Sequence, residues 1–203
     1  MKAILVANPK GGSGKTTLST NLAGMLAMAG EEVRLLDLDR QQSASHWLAR
    51  RPDSLPVIHR MEGGPVEGKG WLVIDSPAAL HGKNLIHALK LVHKVLIPIG
   101  ASLFDIQASQ DFLRVLADEK MVRKGKIDIA VVGMRMAPRT RAAVTLEEYL
   151  HGLDLPVLAY LREAQNYVNA AFEGKTIFDL PPHLAERDQE DWLEISRWLW
   201  LKW

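Results

Sequence analysis

Residues 10–17 read Lys-Gly-Gly-Ser-Gly-Lys-Thr-Thr, and this stretch decides the fold. It follows a short apolar run at residues 3–7 that predicts a β-strand, and it leads into an amphipathic stretch at 16–29 that predicts a helix. The glycines of the loop let the backbone curl with its N–H groups pointing inward, a geometry that side chains would obstruct. A strand, a glycine-rich loop and a helix in this order predict a phosphate-binding loop.

The side chains of this loop fit a nucleotide with a metal ion. Lys15 would supply a cation to the β- and γ-phosphates, and Thr16 would supply a hydroxyl to Mg²⁺. A glycine-rich turn without a ligand is the structural alternative, and the register of Gly14 with Lys15 and Thr16 argues against it. The predicted nucleotide-binding residues are Lys10, Gly11, Gly12, Ser13, Gly14, Lys15, Thr16 and Thr17.

A second lysine distinguishes this loop from the general pattern. That pattern has glycine at the position of Pro9, whereas here Lys10 precedes the first two glycines. Beside a triphosphate already served by Lys15, another cation is superfluous unless it reaches a second nucleotide or neutralises extra charge. We therefore expect Lys10 to separate this chain from other proteins with a phosphate loop.

Residues 10–17 resemble the deviant Walker A motif of the ParA/MinD class of ATPases. In that class the extra lysine crosses a sandwich dimer to the partner's ATP, and the resemblance gives this role to Lys10. It implies ATP and Mg²⁺ as ligands, slow ATP hydrolysis as the activity, and an ATP-dependent homodimer.

Asp37 and Asp39 follow a second apolar run, two residues apart, so both lie on one side of the strand if it continues straight. A strand-end turn is the structural alternative. Residues 37–47 resemble the family's Walker A′ segment, with Arg40 in place of the usual proline. The resemblance assigns Asp39 to the attacking water, beside the γ-phosphate. The predicted catalytic residues are Lys10, Lys15 and Asp39.

Residues 71–75 form an apolar run that ends in Asp75, the pattern of a Walker B strand. Because Mg²⁺ keeps several of its waters in proteins, we expect Asp75 to hold the ion through water. The predicted metal residues are thus Thr16 and Asp75. Pro77 and Ala78 follow where the family has a switch that responds to the γ-phosphate.

Short apolar runs alternate with amphipathic stretches along the whole chain. The predicted strands are 3–7, 33–37, 71–75, 95–98, 127–132 and 157–160, and the predicted helices are 16–29, 83–91, 105–120, 140–151, 163–173 and 185–203. This alternation predicts an α/β fold with a doubly wound, mostly parallel sheet flanked by helices, the P-loop NTPase fold. No linker divides the chain, so we expect a single domain over 1–203.

Composition limits the remaining classes of protein. The chain has no cysteine, which removes disulfides and thiol-ligated clusters, and its 25 basic and 24 acidic residues give no global cationic field. The apolar run at residues 3–7 is too short for a signal peptide or a membrane span, so we expect a cytoplasmic protein.

The resemblance to the family continues at residues 95–108 and 173–179, so it covers nearly the whole chain. It favours a small ParA-like ATPase that segregates or positions plasmid, chromosome or protein cargo, stimulated by a ParB-like or adaptor protein. Such proteins bind DNA non-specifically and associate with the nucleoid when ATP-bound. Met134 stands where the family often has an asparagine near adenine, which leaves base selection to other groups.

Two basic clusters could provide the DNA contact. Arg135, Arg139 and Arg141 form the candidate DNA-binding set, and Lys120, Arg123, Lys124 and Lys126 lie just before a predicted strand. Clustered cations suffice for binding to phosphates. The alternative for both clusters is a solvated surface.

The C-terminal stretch is rich in tryptophan, which raises the alternative of a MinD-like positioning ATPase that attaches to membrane through this helix. An interfacial helix usually carries a basic polar face, whereas residues 186–194 are acidic. Lys202 alone is a poor anchor. We therefore favour packing against the sheet or a partner over membrane binding.

Overall fold

A computed structural model describes residues 1–201, and within them seven parallel strands form one sheet. The strands are β1 (Lys2–Val6), β2 (Val33–Asp37), β3 (Ile58–Met61), β4 (Trp71–Asp75), β5 (Lys94–Gly100), β6 (Asp128–Met136) and β7 (Val157–Arg162). Their interiors are largely buried because helices cover both faces of the sheet. The predicted doubly wound parallel fold is confirmed. Strand β3 was not predicted, since it is a short edge strand with two exposed polar residues, His59 and Arg60.

The strand order is β3-β2-β4-β1-β5-β6-β7. The chain starts in the middle at β1 and fills one side of the sheet with β2, β3 and β4, of which β4 returns to lie between β2 and β1. It then crosses to the other side for β5, β6 and β7. The order therefore reverses at β1. In open α/β sheets, ligands bind at the carboxyl ends of the strands at such a switch point. The loop after β1 lies there.

Two apolar cores, one on each face of the sheet, hold the helices. The helices are α1 (Lys15–Met28), α2 (Ser43–Leu48), α3 (Gly82–Leu91), α4 (Leu103–Asp118), α5 (Lys120–Arg123), α6 (Arg141–His151), α7 (Gln165–Phe172), α8 (Pro182–Glu190) and α9 (Leu193–Trp200). Helices α1, α2, α8 and α9 contribute to one core, and α3, α4 and α6 to the other. Within a strand the side chains alternate: Ile4 and Val6 enter the first core, Ala3 and Leu5 the second.

A close approach beside α1 requires glycine. A Cβ atom on Gly24 would lie 2.4 Å from the Thr176 side chain, so only glycine lets the segment after α7 pack onto α1. That segment ends in a 3₁₀ turn, Ile177–Asp179, whose Asp179 forms a buried ion pair with Arg51 at 3.0 Å. The pair ties the segment to the chain that follows α2.

The single helix predicted for 185–203 is wrong. The structure has α8 and α9 with a break at Asp191 and Trp192, and residues 202 and 203 lie outside the described part of the chain. The guanidinium of Arg162 binds Asp188 at 2.8 Å and Asp191 at 3.0 Å, and this fixes the end of α8. The break turns the indole of Trp192, which is 1% exposed, into the core.

Candidate functional site

The loop between β1 and α1 has the backbone geometry of a phosphate cradle. Gly12 and Gly14 have φ values of 74° and 92°, in the left-handed region that favours glycine. Gly14 caps α1, so the first N–H groups of a 14-residue helix face the cleft with the positive end of its dipole. A Cβ on Gly14 would also lie 2.7 Å from the terminal methyl of Met134, which would have to move.

Lys15 is buried beneath this loop at 7% exposure. Its ammonium donates a hydrogen bond to the carbonyl oxygen of Lys10 at 3.0 Å, across the loop. Burial lowers the pKa of Lys15, while the carboxylates of Asp75 and Asp39 act in the opposite direction. The loop therefore holds a desolvated cation at its centre.

Asp75 ends β4 next to the first turn of α1. Thr16 donates a hydroxyl hydrogen bond to one carboxylate oxygen at 2.8 Å, and Ser19 donates to the other at 3.0 Å. Burial raises the pKa of Asp75 to about 6, and the two hydroxyl hydrogen bonds oppose this shift. The structure thus brings the two predicted metal residues together. Ser19 was not predicted as a site residue, although its position one helical turn after Thr16 places both residues on the same face of the helix.

Asp37 and Asp39 do not share one strand face, because β2 ends at Asp37 and the chain turns. Asp37 is occupied by the backbone: its two carboxylate oxygens accept from the N–H groups of Asp39 at 3.0 Å and Ser45 at 2.9 Å. Asp39 instead lines the cleft, and its carboxylate accepts from the N–H of Gln41 at 2.9 Å. Because of the turn, Asp37 stabilises the backbone and Asp39 is available in the cleft.

The cleft above these residues has a volume of about 1190 Å³. It contains the phosphate loop at one end, and its walls include Asp39, the loop after β4 and the segment after β7. The lining residues at the end of β7 and after it are Arg162, Glu163, Ala164, Tyr167 and Val168. This volume is slightly above the usual range of small-molecule sites, about 300–1,000 Å³.

Two residues that line the cleft, Met134 and Tyr167, are largely buried. Met134 is 4% exposed and packs under Gly14, and the carboxamides that line the cleft, Gln41 and Asn84, come from other segments of the chain. Tyr167 lines the wall, and its hydroxyl accepts a hydrogen bond from Trp192 at 2.8 Å. Tyr167 was not predicted from the sequence, because its partner lies 25 residues away and no local pattern links them.

The two basic clusters lie at opposite edges of the sheet. Arg135, Arg139 and Arg141 follow or end β6 at its carboxyl edge, whereas Lys120, Arg123, Lys124 and Lys126 precede its amino end. They cannot form one surface on a protomer. All three arginines are exposed, but Arg135 lines the cleft with its guanidinium 3.8 Å from the buried carboxylate of Asp105, whereas Arg139 and Arg141 do not line it.

Of the C-terminal tryptophans that the structure describes, Trp192 and Trp198 are buried, whereas Trp200 is 46% exposed. Trp198 is 8% exposed, and the ammonium of Lys94 lies 4.4 Å from its ring. Trp200 contacts Trp71 edge to face at 5.2 Å. This agrees with the expectation of packing against the sheet. None of the helices in residues 1–201 is both long and apolar enough to cross a membrane.

A parallel sheet with a glycine cradle, a buried lysine and a strand-ending carboxylate at its switch point defines a P-loop nucleotide-binding protein. A family model described as the CobQ/CobB/MinD/ParA nucleotide binding domain matches residues 4–177. Since this match spans most of the sequence, the chain belongs to that family.

A curated relative is the maintenance of carboxysome distribution protein A of Halothiobacillus neapolitanus, which is 29% identical over 189 residues that cover 87% of each chain. The MinD cell division protein of Aquifex aeolicus has the same fold, with a TM-score of 0.76 at 19% identity over 100% of this chain and 98% of its own. A McdA variant from Cyanothece in complex with ATP has a TM-score of 0.73 at 18% identity, over 97% and 96%.

Proposed function

We propose that this protein is a magnesium-dependent ATPase of the ParA/MinD type, which dimerises around ATP, binds DNA non-specifically and positions a cargo. The observation that carries the proposal is that the phosphate loop, Lys15 and Asp39 line one cleft, with Asp75 buried beside it against Thr16. Family membership and the structural likeness to an ATP-bound relative support ATP as the nucleotide. The proposed location is the cytoplasm, on the nucleoid when ATP is bound.

The residues present fit ATP and Mg²⁺ by their chemistry. The loop offers inward N–H groups and a buried ammonium for phosphate oxygens, and Thr16 and Asp75 offer the oxygen ligands that Mg²⁺ prefers. When bound, Mg²⁺ neutralises charge on the phosphates. Thr16 and Asp75 would hold the ion, Asp75 through water.

Hydrolysis would follow from in-line attack of water on the γ-phosphate. Asp39 would orient the water from the wall of the cleft, and the loop N–H groups with Lys15 would stabilise the charge that develops in the transition state. These groups are held in advance by Asp37, which fixes the turn before Asp39, and by the burial of Lys15. Little reorganisation is then needed at the moment of reaction.

Lys10 supports the proposal of a dimer. Its carbonyl oxygen binds Lys15 inside the loop, and its backbone N–H donates to the side chain of Asn8 at 2.9 Å, so its backbone is fixed. The structure records no ion pair for its ammonium within residues 1–201. A fixed backbone with an unpaired cation at the mouth of the site suits contact with the ATP of a second subunit.

Exposed arginines after β6 are the proposed DNA contact. Arg139 and Arg141 lie near the nucleotide edge, so a dimer formed there would bring two copies of this pair together. Exposed cations at that edge supply the phosphate contacts that sequence-independent binding requires. Arg135 would contribute less, since it faces Asp105.

The cargo is proposed as a class. The relative in Halothiobacillus is named for carboxysome distribution, and other relatives are named as chromosome-partitioning or ParA proteins. A protein assembly, a plasmid or a chromosome could therefore be the cargo, and a ParB-like or adaptor protein would stimulate hydrolysis.

Replacement of Asp39 tests the mechanism. Asp39→Ala should bind MgATP with parental affinity, lose hydrolysis by about 100-fold or more in single-turnover assays, and accumulate as a dimer on sheared duplex DNA. Light scattering coupled to size exclusion reports the dimer. Asp118→Ala, which removes an exposed carboxylate at the end of α4, is the matched control. Hydrolysis by Asp39→Ala at the parental rate would show that Asp39 has been assigned wrongly.

A further inference from the structure

Gln42 adopts a backbone conformation that side chains normally avoid. Its φ and ψ are 53° and 34°, in the left-handed region, and it caps α2 directly after the turn that carries Asp39. A residue with a Cβ atom is destabilised there, whereas glycine is not. Strain of this kind persists only where surrounding contacts enforce it, and it is often found at functional sites.

The side chain of Gln42 supplies such contacts. Its amide nitrogen donates to the carbonyl oxygen of Asp39 at 3.2 Å and, more weakly, to that of Asp37 at 3.4 Å. The backbone N–H of Gln42 also donates to the Asp39 carbonyl, at 3.1 Å. Both lone pairs of this carbonyl are therefore engaged by one residue, and glycine would provide only the backbone contact.

Arg60 fixes the orientation of the Gln42 amide. Its guanidinium donates to the side-chain oxygen of Gln42 at 3.1 Å from the edge strand β3. Because an amide presents its oxygen and its nitrogen in opposite directions, a donor on the oxygen leaves the nitrogen facing the turn. Arg60 also lies 3.5 Å from Glu62, a largely exposed contact that we expect to contribute little.

We propose that Gln42, oriented by Arg60, is a positioning residue that holds the Asp39 carboxylate in the direction needed for water attack. The proposal rests on the role given to Asp39 under the proposed function. The carboxylate accepts the N–H of Gln41 within the same turn, so its direction follows the backbone of that turn. A displacement of about 1 Å at a catalytic group can cost about 100-fold in rate.

Gln42→Gly separates positioning from stability. It removes the amide and relieves the left-handed strain, so the melting temperature should stay equal or rise. The kcat for MgATP hydrolysis should fall about tenfold or more, with KM within about twofold of the parent. If Gln42→Gly keeps the parental kcat, whatever its melting temperature, then the amide does not position Asp39 and the proposal is overturned.

Gln42→Glu tests the hydrogen bond itself, since it keeps the length of the side chain and replaces the donor by an acceptor. We expect kcat to fall again at constant KM, with a smaller fall for Arg60→Ala. Glu62→Ala is the matched surface control and should match the parent. If Asp39→Ala is inactive but Gln42→Gly keeps parental kcat, only this inference fails. If Asp39→Ala hydrolyses ATP like the parent, the proposed role of Asp39 fails and this inference falls with it.

Discussion

Two buried lysines lie at opposite edges of the sheet, and they have different surroundings. At the amino edge Lys94 is 1% exposed, and its ammonium contacts the Asp128 carboxylate at 3.1 Å and the Leu201 carbonyl oxygen at 3.0 Å. At the carboxyl edge Lys15 is 7% exposed and donates to the Lys10 carbonyl, with no ion pair within 4 Å in residues 1–201.

The difference in surroundings indicates that Lys94 has a structural role and Lys15 a role in ligand binding. A buried cation with a carboxylate, a carbonyl and an aromatic ring around it is satisfied by the protein itself, so Lys94 holds the C-terminal helix in place. A buried cation that lacks a close counter-ion has a lowered pKa and is costly until an anion arrives. Lys15 is therefore poised to bind an anionic ligand. The burial of its charge lowers the stability of the protein as long as that ligand is absent.

The largest effect should come from Lys15→Met. Removal of the ammonium should lower hydrolysis of MgATP by at least about 100-fold, because a preorganised charge in the cleft is lost. The melting temperature of the nucleotide-free protein should stay the same or rise, since a desolvated cation has been replaced by an apolar side chain. A loss of both activity and stability would contradict the comparison.

Lys94→Met should have the opposite profile. The loss of hydrogen bonds from a charged group should lower the free energy of unfolding by about 1–3 kcal/mol, as measured by denaturant titration. Asp128 is half exposed, so its carboxylate can be solvated after the change. Hydrolysis well below the melting temperature should equal that of the parent, because the site is at the other edge. Loss of activity in the folded variant would show that the two edges are coupled.

The smallest expected effect is a change in Mg²⁺ binding with pH, caused by protonation of Asp75. Because Mg²⁺ needs the ionised carboxylate and the pKa is about 6, binding of Mg²⁺ with ATP should be about tenfold weaker at pH 5 than at pH 7. Asp75→Asn corrects for protonation of ATP itself, and an equal pH slope in both proteins would contradict the assignment.

The raised pKa of Asp75 should also make the free energy of unfolding of the nucleotide-free protein depend on pH, as measured by urea titration. The folded-state pKa lies above the ordinary value of 3.8, so the contribution of Asp75 to the free energy of unfolding is present below that pH. It is lost as the pH rises through 6, when the buried carboxyl ionises.

Local patterns made the site predictable from the sequence. The phosphate loop is a contiguous stretch, and Asp39 and Asp75 each follow an apolar strand, so parallel topology places them at one edge. The break between α8 and α9 was not predictable, because it depends on Arg162 reaching two acids 26 and 29 residues away. Helix α2 was not predicted either, because its six residues are too few to show a periodic pattern.

The left-handed Gln42 was also hidden from sequence reasoning. Glutamine has no preference for that conformation, and the contacts that hold it come from the carbonyl groups of the turn and from Arg60 on another strand. The opposite placement of the two basic clusters, by contrast, follows from the direction of β6, which was predicted from the sequence. The topology alone could have revealed it.

Calorimetric titration of MgATP into the parent, Lys15→Met and Lys94→Met tests the central claim most directly. The account predicts binding to the parent and to Lys94→Met with the same affinity, and an affinity for Lys15→Met at least about 100-fold weaker. Equal affinity of all three proteins for MgATP would contradict it, because the cation at the carboxyl edge would then have no part in holding the nucleotide.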